Sequence, residues 1–292
     1  MSGIRIWLVR VICLLGGALP LTNVVGPAHA EDAAVASEWI SEHATKVRLV
    51  GGSVSDQQQK RHLVAGIEIA LDTGWKTYWR NPGTSGVPPR FDWSASENVA
   101  DATLLFPAPT RFVDREGDTI GYKSGVILPV EIVPKDANLP VKLKFALEYG
   151  VCKDVCVPVQ PTLELTLAPA QSRQTVGTAL NAALELIPRL PTVRHPNDPE
   201  LKGVTINLQG NAPEILIDAA FAGDMAGADV FLEAPDGIWV PLAKPVGEAR
   251  DGVLRFRVDL TDGADVADLK GRSIRVTLVS GQGQTDTSFK FD

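Results

Sequence analysis

The sequence predicts an all-β protein made of two β-sandwich domains joined by one short helix and a Pro-rich linker. Apolar and polar side chains alternate along 141–149 and 162–167, with the period of two that half-buried strands show. Residues 175–187 instead carry apolar side chains at helical spacing, and Pro188 ends that run. Seven short apolar runs separated by turn residues then fill 200–292, which is typical of a β-sandwich.

These patterns also give the domain organisation. We predict a first sandwich domain at 31–172, a helix and linker at 173–199, and a second sandwich domain at 200–292. Besides those at 141–149 and 162–167, strands are predicted at 47–50, 63–71, 76–80, 127–133, 204–208, 215–217, 230–232, 239–242, 254–260, 274–278 and 288–291.

Residues 1–30 have the parts of a secretory signal peptide. Arg5 and Arg10 precede a short apolar run, and Ala-His-Ala at 28–30 supplies a small-residue cleavage site. The apolar run is too short to span a bilayer. We therefore expect cleavage after Ala30, export to the periplasm and a soluble mature protein.

The charge balance argues against a nucleic-acid partner. The chain has 28 basic and 35 acidic side chains, and Arg5 and Arg10 lie in the signal peptide, which leaves 26 basic residues against 35 acidic ones. Binding to nucleic acid needs basic side chains that neutralise phosphates. Such an acidic protein is therefore not expected to bind nucleic acid.

Two cysteines, Cys152 and Cys156, remain once the segment that contains Cys13 is removed. In an oxidising compartment an even number of cysteines suggests pairing. Residues four apart in an extended chain lie roughly 13 Å apart, which is too far for a disulfide. A turn at Lys-Asp-Val between them would make the cysteines cross-strand neighbours about 4.5–5.5 Å apart, and this permits the bond.

The residues alone leave the role of this pair open. A disulfide that closes a loop of about five residues stabilises a fold by only roughly 2 kcal/mol, whereas an exposed hairpin tip is accessible to a foreign thiol. Thiol–disulfide exchange is one interpretation, and a binding module with a structural disulfide is another. A third is a Cu(I) site with two thiolate ligands and a role in copper tolerance, although the chain has only two methionines, Met1 and Met225.

Two segments resemble the N-terminal periplasmic domain of the DsbD and ScsB family of thiol–disulfide interchange proteins. Segment 74–86, GWKTYWRNPGTSG, is similar to an aromatic hairpin of that family. The second segment begins at 127–130, ILPV, and includes Cys152 and Cys156 before it ends near Leu167. The resemblance covers about residues 45–168, and it implies an immunoglobulin-like fold for this domain.

The resemblance also implies a function and roles for both cysteines. Cys156 is expected to form the mixed disulfide with a partner, and Cys152 is expected to resolve it. The implied activity is that of a protein-disulfide reductase, which needs neither a metal nor a cofactor. The implied partners are a membrane-embedded electron donor of the DsbD or CcdA type and thioredoxin-like periplasmic proteins.

The chain departs from this family in three respects. Its cysteines are closer in sequence than those of the better-known DsbD members, so ScsB is the nearer comparison. The family shields its cysteines with an aromatic cap, for which Phe112, Tyr122 and Tyr149 are the candidates here. Typical members continue into a membrane domain, whereas this chain ends after a second β domain, so a separate membrane protein is expected to supply electrons.

The remaining aromatic residues of this region could form a binding face, but sandwich core is the preferred interpretation, with some of the rings near the cysteines. They are Trp75, Tyr78, Trp79, Phe91 and Trp93.

Overall fold

The computed structural model describes residues 35–55, 60–113, 117–169, 175–223 and 225–292. These residues belong to one compact unit. The predicted signal peptide at 1–30 lies outside the described residues. No helix in the described part of the chain is long and apolar enough to cross a membrane.

Two antiparallel sheets form the N-terminal sheet pair, which confirms the all-β, immunoglobulin-like prediction. The strands of the first sheet are β1 (Val35–Ala36), β2 (Ile40–Glu42), β3 (Thr45–Ser55), β4 (Arg61–Leu71), β7 (Val99–Leu104) and β10 (Gly125–Pro134). The strands of the second sheet are β5 (Lys76–Gly83), β6 (Arg90–Asp92), β8 (Thr110–Phe112), β9 (Thr119–Lys123), β11 (Val141–Cys152), β12 (Cys156–Val159) and β13 (Thr162–Leu167).

Side-chain alternation along β11 directs one face of the second sheet into a core shared with the first sheet. Leu143, Phe145 and Leu147 are buried, whereas Lys144 and Ala146 between them are exposed. Across the core, Leu49 of β3 and Ile67 of β4 are almost fully buried against this face. The hydrophobic effect therefore fixes which face of β11 points inward.

The predicted helix is present but shorter than expected. Helix α1 spans Thr178–Glu185, inside the predicted range 175–187, and Leu186 follows it as the C-terminal cap. Its buried Leu180 packs closely over β4, with Cδ1 only 2.8 Å from the position that a Cβ on Gly66 would take. The helix thus covers the outer face of the first sheet.

The Pro-rich stretch after α1 is docked on the C-terminal half of the chain. It contains a short 3-10 helix, Pro191–Val193. The buried carboxylate of Asp198 accepts hydrogen bonds from Arg189 Nη1 at 2.9 Å, from the backbone N–H of His195 at 2.7 Å and from the backbone N–H of Gln284 at 3.2 Å. The linker therefore has a defined path.

Two further sheets form the C-terminal sheet pair. The four-stranded sheet has the order β14-β15-β18-β17, and the three-stranded sheet has the order β16-β19-β20. The strands are β14 (Glu200–Asn207), β15 (Glu214–Ala220), β16 (Asp229–Glu233), β17 (Lys244–Arg250), β18 (Val253–Asp259), β19 (Ser273–Ser280) and β20 (Gly283–Lys290). Pro235–Gly237 forms a short 3-10 turn, and Val266–Leu269 forms a one-turn helix, α2.

One predicted strand of this region, at 239–242, is wrong. The segment is irregular, although Val240 and Ala243 are buried in the second core. Pro241 has no N–H to donate to a ladder, and Trp239 donates its indole Nε1–H to the carbonyl oxygen of Asp262 instead. The next strand, β17, begins just after this segment. All its residues are exposed, so its sequence lacks the alternation of apolar and polar residues from which a strand is predicted.

The two sheet pairs meet in a common apolar contact at strand β16. Phe231 is 1% exposed and belongs to the same buried cluster as the core of the N-terminal sheet pair. Its ring centroid lies 5.6 Å from that of Trp79 in β5. The predicted domain boundary at 172 lies outside the described residues. The described residues pack as one unit, with no division at residue 199, so the boundary at 199 stays a prediction.

We predict that Phe231→Ala lowers the free energy of unfolding by about 3–5 kcal/mol, because it removes a fully buried ring and leaves a cavity at this contact. Urea denaturation measures the change. Leu208→Ala, at an exposed position, is the control and is expected to change stability by about 0.5 kcal/mol or less. Equal effects of the two substitutions would contradict the described packing at Phe231.

Candidate redox site

Strands β11 and β12 form a hairpin whose tip carries the two cysteines. Cys152 and Cys156 are directly opposed in the ladder, with Cα atoms 4.1 Å apart and their sulfurs bonded at 2.09 Å. Lys153, Asp154 and Val155 make the bend between them. The turn required for the predicted pairing is therefore present.

The two sulfur-bearing residues differ in exposure. Cys152 is 7% exposed, whereas Cys156 is exposed at the start of β12. The neighbouring Val155 is 69% exposed. A foreign thiol therefore has access to the disulfide from the side of Cys156.

Tyr78 of β5 contacts the exposed cysteine. Its hydroxyl oxygen lies 3.1 Å from Sγ of Cys156, although the Tyr78 side chain as a whole is buried. The ring packs against the backbone of β11, where a Cβ on Gly150 would lie only 3.2 Å from Cε2. Gly150 thus makes room for the ring, which holds the hydroxyl at the sulfur.

Lys76 lies directly opposite Cys152 on the other side of β11. Because opposed residues in a ladder share a face, both side chains lie on the outer face of the second sheet. Lys76 is 8% exposed, and its Nζ donates to Oγ1 of Thr119 at 2.8 Å. The same Nζ lies 5.6 Å from the ring centroid of Phe112. The Lys76 side chain is therefore buried on the face of the sheet that carries Cys152, with its ammonium group at Thr119 and Phe112.

Of the three predicted cap residues, only Phe112 lies on the face that carries the cysteines. It pairs with Thr119 and is buried, with Nζ of Lys123 4.6 Å above its ring. Its position is consistent with shielding Lys76, and its role as a cap over the cysteines stays a prediction.

Tyr122 and Tyr149 point into the core, which corrects their inclusion as cap residues. Tyr149 and Val151 are inward-facing neighbours of the outward-facing Cys152, and the Tyr149 hydroxyl lies 3.0 Å from Oγ1 of Thr45. Tyr122 donates to the carbonyl oxygen of Pro107 at 2.8 Å. Burial raises the pKa of Tyr149 to about 12 and that of Tyr122 well above its usual value, because the ionised phenols would lie in the core.

Sequence reasoning missed Lys76 and Tyr78 as site residues. The sequence pattern groups Tyr78 with the aromatic residues of the sandwich core. That interpretation is correct for Trp79, which is fully buried, and for Trp93, whose ring stacks on Phe145 with the centroids 6.0 Å apart. The missing information was the pairing of β5 with β11, which is set by tertiary structure. Within segment 76–79, strict alternation already separates Lys76 and Tyr78 from Trp79.

Among the described residues, no group of three or more His, Cys, Asp and Glu side chains has the geometry to hold a metal ion.

We predict that Tyr78→Phe slows alkylation of Cys156 at pH 7 by about threefold to tenfold, because losing a hydrogen-bond donor to the thiolate leaves a smaller fraction of the thiol ionised. The rate is measured with iodoacetamide in a Cys152→Ser background, which leaves Cys156 as the only mature cysteine. Tyr149→Phe is the control, because that hydroxyl bonds in the core. Equal rates for Tyr78→Phe and its parent would show that the hydroxyl does not act on the sulfur.

Comparisons with known proteins agree with this geometry. The chain is similar in fold to the N-terminal periplasmic domain of ScsB from Proteus mirabilis, with a TM-score of 0.65 and 19% identity over 88% of this chain and 98% of that one. That coverage includes both sheet pairs. No protein of curated function matches the chain.

Residues 50–168, which include the β11–β12 hairpin and strand β5, match the family model described as "Thiol:disulfide interchange protein DsbD, N-terminal". Over these residues the chain is therefore similar to the N-terminal domain of the DsbD thiol:disulfide interchange proteins.

Proposed function

We propose that this protein exchanges electrons with periplasmic disulfide proteins through the Cys152–Cys156 pair, as a protein-disulfide reductase. The observation that carries the proposal is the difference in exposure between the two bonded cysteines. A purely structural disulfide has no need of an accessible sulfur, whereas exchange requires that one sulfur be attacked from outside. The family match over residues 50–168 supports the same chemistry.

The reaction starts from the reduced pair. The Cys156 thiolate attacks one sulfur of the partner's disulfide, forms a mixed disulfide and releases the partner's first thiolate, which takes up a proton. The Cys152 thiolate then attacks Sγ of Cys156, which restores the intramolecular disulfide and releases the partner's second thiolate. Two electrons pass to the partner, which is reduced to a dithiol while this pair is oxidised.

Neighbouring side chains fit these roles. The Tyr78 hydroxyl, 3.1 Å from Sγ of Cys156, donates to the Cys156 thiolate before attack. Lys76 lies beside Cys152, where a positive charge favours the thiolate needed for resolution. Each cysteine thus has its own stabilising group on the adjacent strand β5.

The oxidised pair must be reduced again before the next cycle. We propose that a membrane-embedded donor of the DsbD or CcdA type supplies two electrons, and that the acceptors are thioredoxin-like periplasmic proteins. The signal peptide predicted at 1–30 supports export to the periplasm. The similar domain of ScsB from Proteus mirabilis is described as periplasmic, which favours the same location here.

Partner trapping tests the assigned roles of the cysteines. In Cys152→Ser, Cys156 can form a mixed disulfide that no second thiol resolves, so dithiothreitol-sensitive adducts with periplasmic proteins are expected to accumulate on non-reducing gels. Cys156→Ser is the matched control and is expected to give few adducts, because the remaining cysteine is 7% exposed. Adducts that form only in Cys156→Ser would reverse the roles.

The reduction potential tests exchange against a structural disulfide. Equilibration of the mature chain with glutathione buffers is expected to give a potential above about −300 mV, the value below which structural disulfides of exported proteins typically lie. A pair that stays oxidised below that potential would favour the structural alternative.

A further inference from the structure

Strand β16 of the C-terminal sheet pair brings two carboxylates to the N-terminal sheet pair. Asp229, Phe231 and Glu233 alternate along the strand, so they share one face. Phe231 packs on Trp79, and the carboxylates lie on either side of it along the strand. Each accepts hydrogen bonds from an arginine of the second sheet.

Asp229 binds Arg111, the middle residue of β8. Nε and Nη2 of Arg111 donate to the two carboxylate oxygens at 2.8 and 2.7 Å, in a bidentate arrangement. Nη1 of the same arginine lies 3.4 Å from Oδ2 of Asp118. Burial alone would lower the pKa of Arg111, but the hydrogen bonds and charges of Asp229 and Asp118 outweigh that effect and raise it. The guanidinium is therefore held in its charged form within the contact.

Glu233 binds Arg80 of β5. Nε donates to Oε1 at 2.9 Å, and Nη2 donates to Oε2 at 2.7 Å. The guanidinium lies 4.1 Å above the ring of Trp79, and Nδ2 of the adjacent Asn81 donates to the carbonyl oxygen of Leu232 at 3.1 Å. Hydrogen bonds from the side chains of Arg80 and Asn81 thus bind β5 to the C-terminal sheet pair.

Both arginines lie close in sequence to residues at the cysteines. Arg80 is two residues from Tyr78, whose hydroxyl contacts Sγ of Cys156. Arg111 precedes Phe112, which pairs with Thr119, the residue that accepts a hydrogen bond from Lys76 opposite Cys152. One ion pair therefore ends on β5, which carries both Lys76 and Tyr78, and the other ends on β8, where the Phe112 ring lies 5.6 Å from Nζ of Lys76.

We propose that Asp229 and Glu233 are positioning residues for the disulfide, so that the C-terminal sheet pair is part of the redox machinery. They hold β8 and β5 at the distances that place Lys76 and Tyr78 beside Cys152 and Cys156. This inference rests on the proposed exchange function, and it assigns a role to residues 200–292, which contain no cysteine.

The test uses the full mature chain with Asp229→Asn or Glu233→Gln, changes that keep side-chain size and remove the charge. If Tyr78 or Lys76 is held less firmly, the thiolates of the reduced pair are less well stabilised. The equilibrium constant with glutathione is therefore expected to shift about threefold toward the disulfide. For a two-electron couple this is about 14 mV, since a tenfold change corresponds to about 30 mV. Alkylation of Cys156 in a Cys152→Ser background is expected to slow by a similar factor.

Two controls separate positioning from stability. Asp218→Asn removes a bidentate partner of Arg255 within the C-terminal sheet pair, far in the fold from the contact with β5 and β8. Val258→Ala lowers stability from the second core, where Val258 is fully buried. Neither is expected to move the potential, although Val258→Ala lowers Tm. If Asp229→Asn fails to fold, Glu233→Gln decides the question alone.

Unchanged potentials and alkylation rates in the folded variants would overturn the inference. The proposed function would still stand in that case, because it is tested by the wild-type disulfide, which counts against it by staying oxidised below about −300 mV. A double-mutant cycle adds a second criterion. If Glu233 acts through Tyr78, Glu233→Gln has no further effect in the Tyr78→Phe background, whereas fully additive effects would exclude that route.

Discussion

The register of strand β11 determines both the core and the redox site. Its inward face carries Tyr149 and Val151, and the next residue outward is Cys152, which lies between Cys156 on one neighbouring strand and Lys76 on the other. A shift of one residue would move the whole apolar set to the solvent face, so burial holds the sulfur in place. Burial of the apolar face of β11 therefore both stabilises the sandwich and fixes the position of Cys152 relative to Cys156 and Lys76.

The unequal exposure of the two sulfurs follows from their places on that hairpin. Cys152 ends a central strand with β12 on one side and β5 on the other, so neighbouring chains cover it. Cys156 begins β12, the outermost strand on this path, where the Tyr78 hydroxyl lies beside its sulfur. Cys156 is thus accessible from outside while Cys152 is covered, which is the arrangement that the proposed exchange requires. Directional exchange needs this asymmetry, because a resolving thiol must react with its neighbour before solvent thiols do.

Much of this arrangement is predictable from the sequence, and the exceptions have physical reasons. Long alternating strands such as β11 are predictable because burial imposes their period. Strand β17 is fully exposed and leaves no such pattern, whereas 239–242 is apolar yet irregular because Pro241 cannot join a ladder. The cysteine pair follows from spacing and turn geometry. Lys76 and Tyr78 do not, because their link to the sulfurs depends on which strand pairs with β11.

The reduced state makes the strongest demand on this fold. Once the disulfide is open, no covalent bond holds the hairpin tip, and an isolated two-stranded hairpin is marginally stable in water. This hairpin keeps its shape through burial, since Val151 and Val159 are fully buried on its inner face, and through the hydrogen bond from Thr77 Oγ1 to the carbonyl oxygen of Gly150 at 2.9 Å. A loop of about five residues gains only roughly 2 kcal/mol from its disulfide, so opening the bond leaves most of the stabilisation intact. The pair can cycle because the frame around it, rather than the bond itself, keeps the two sulfurs together.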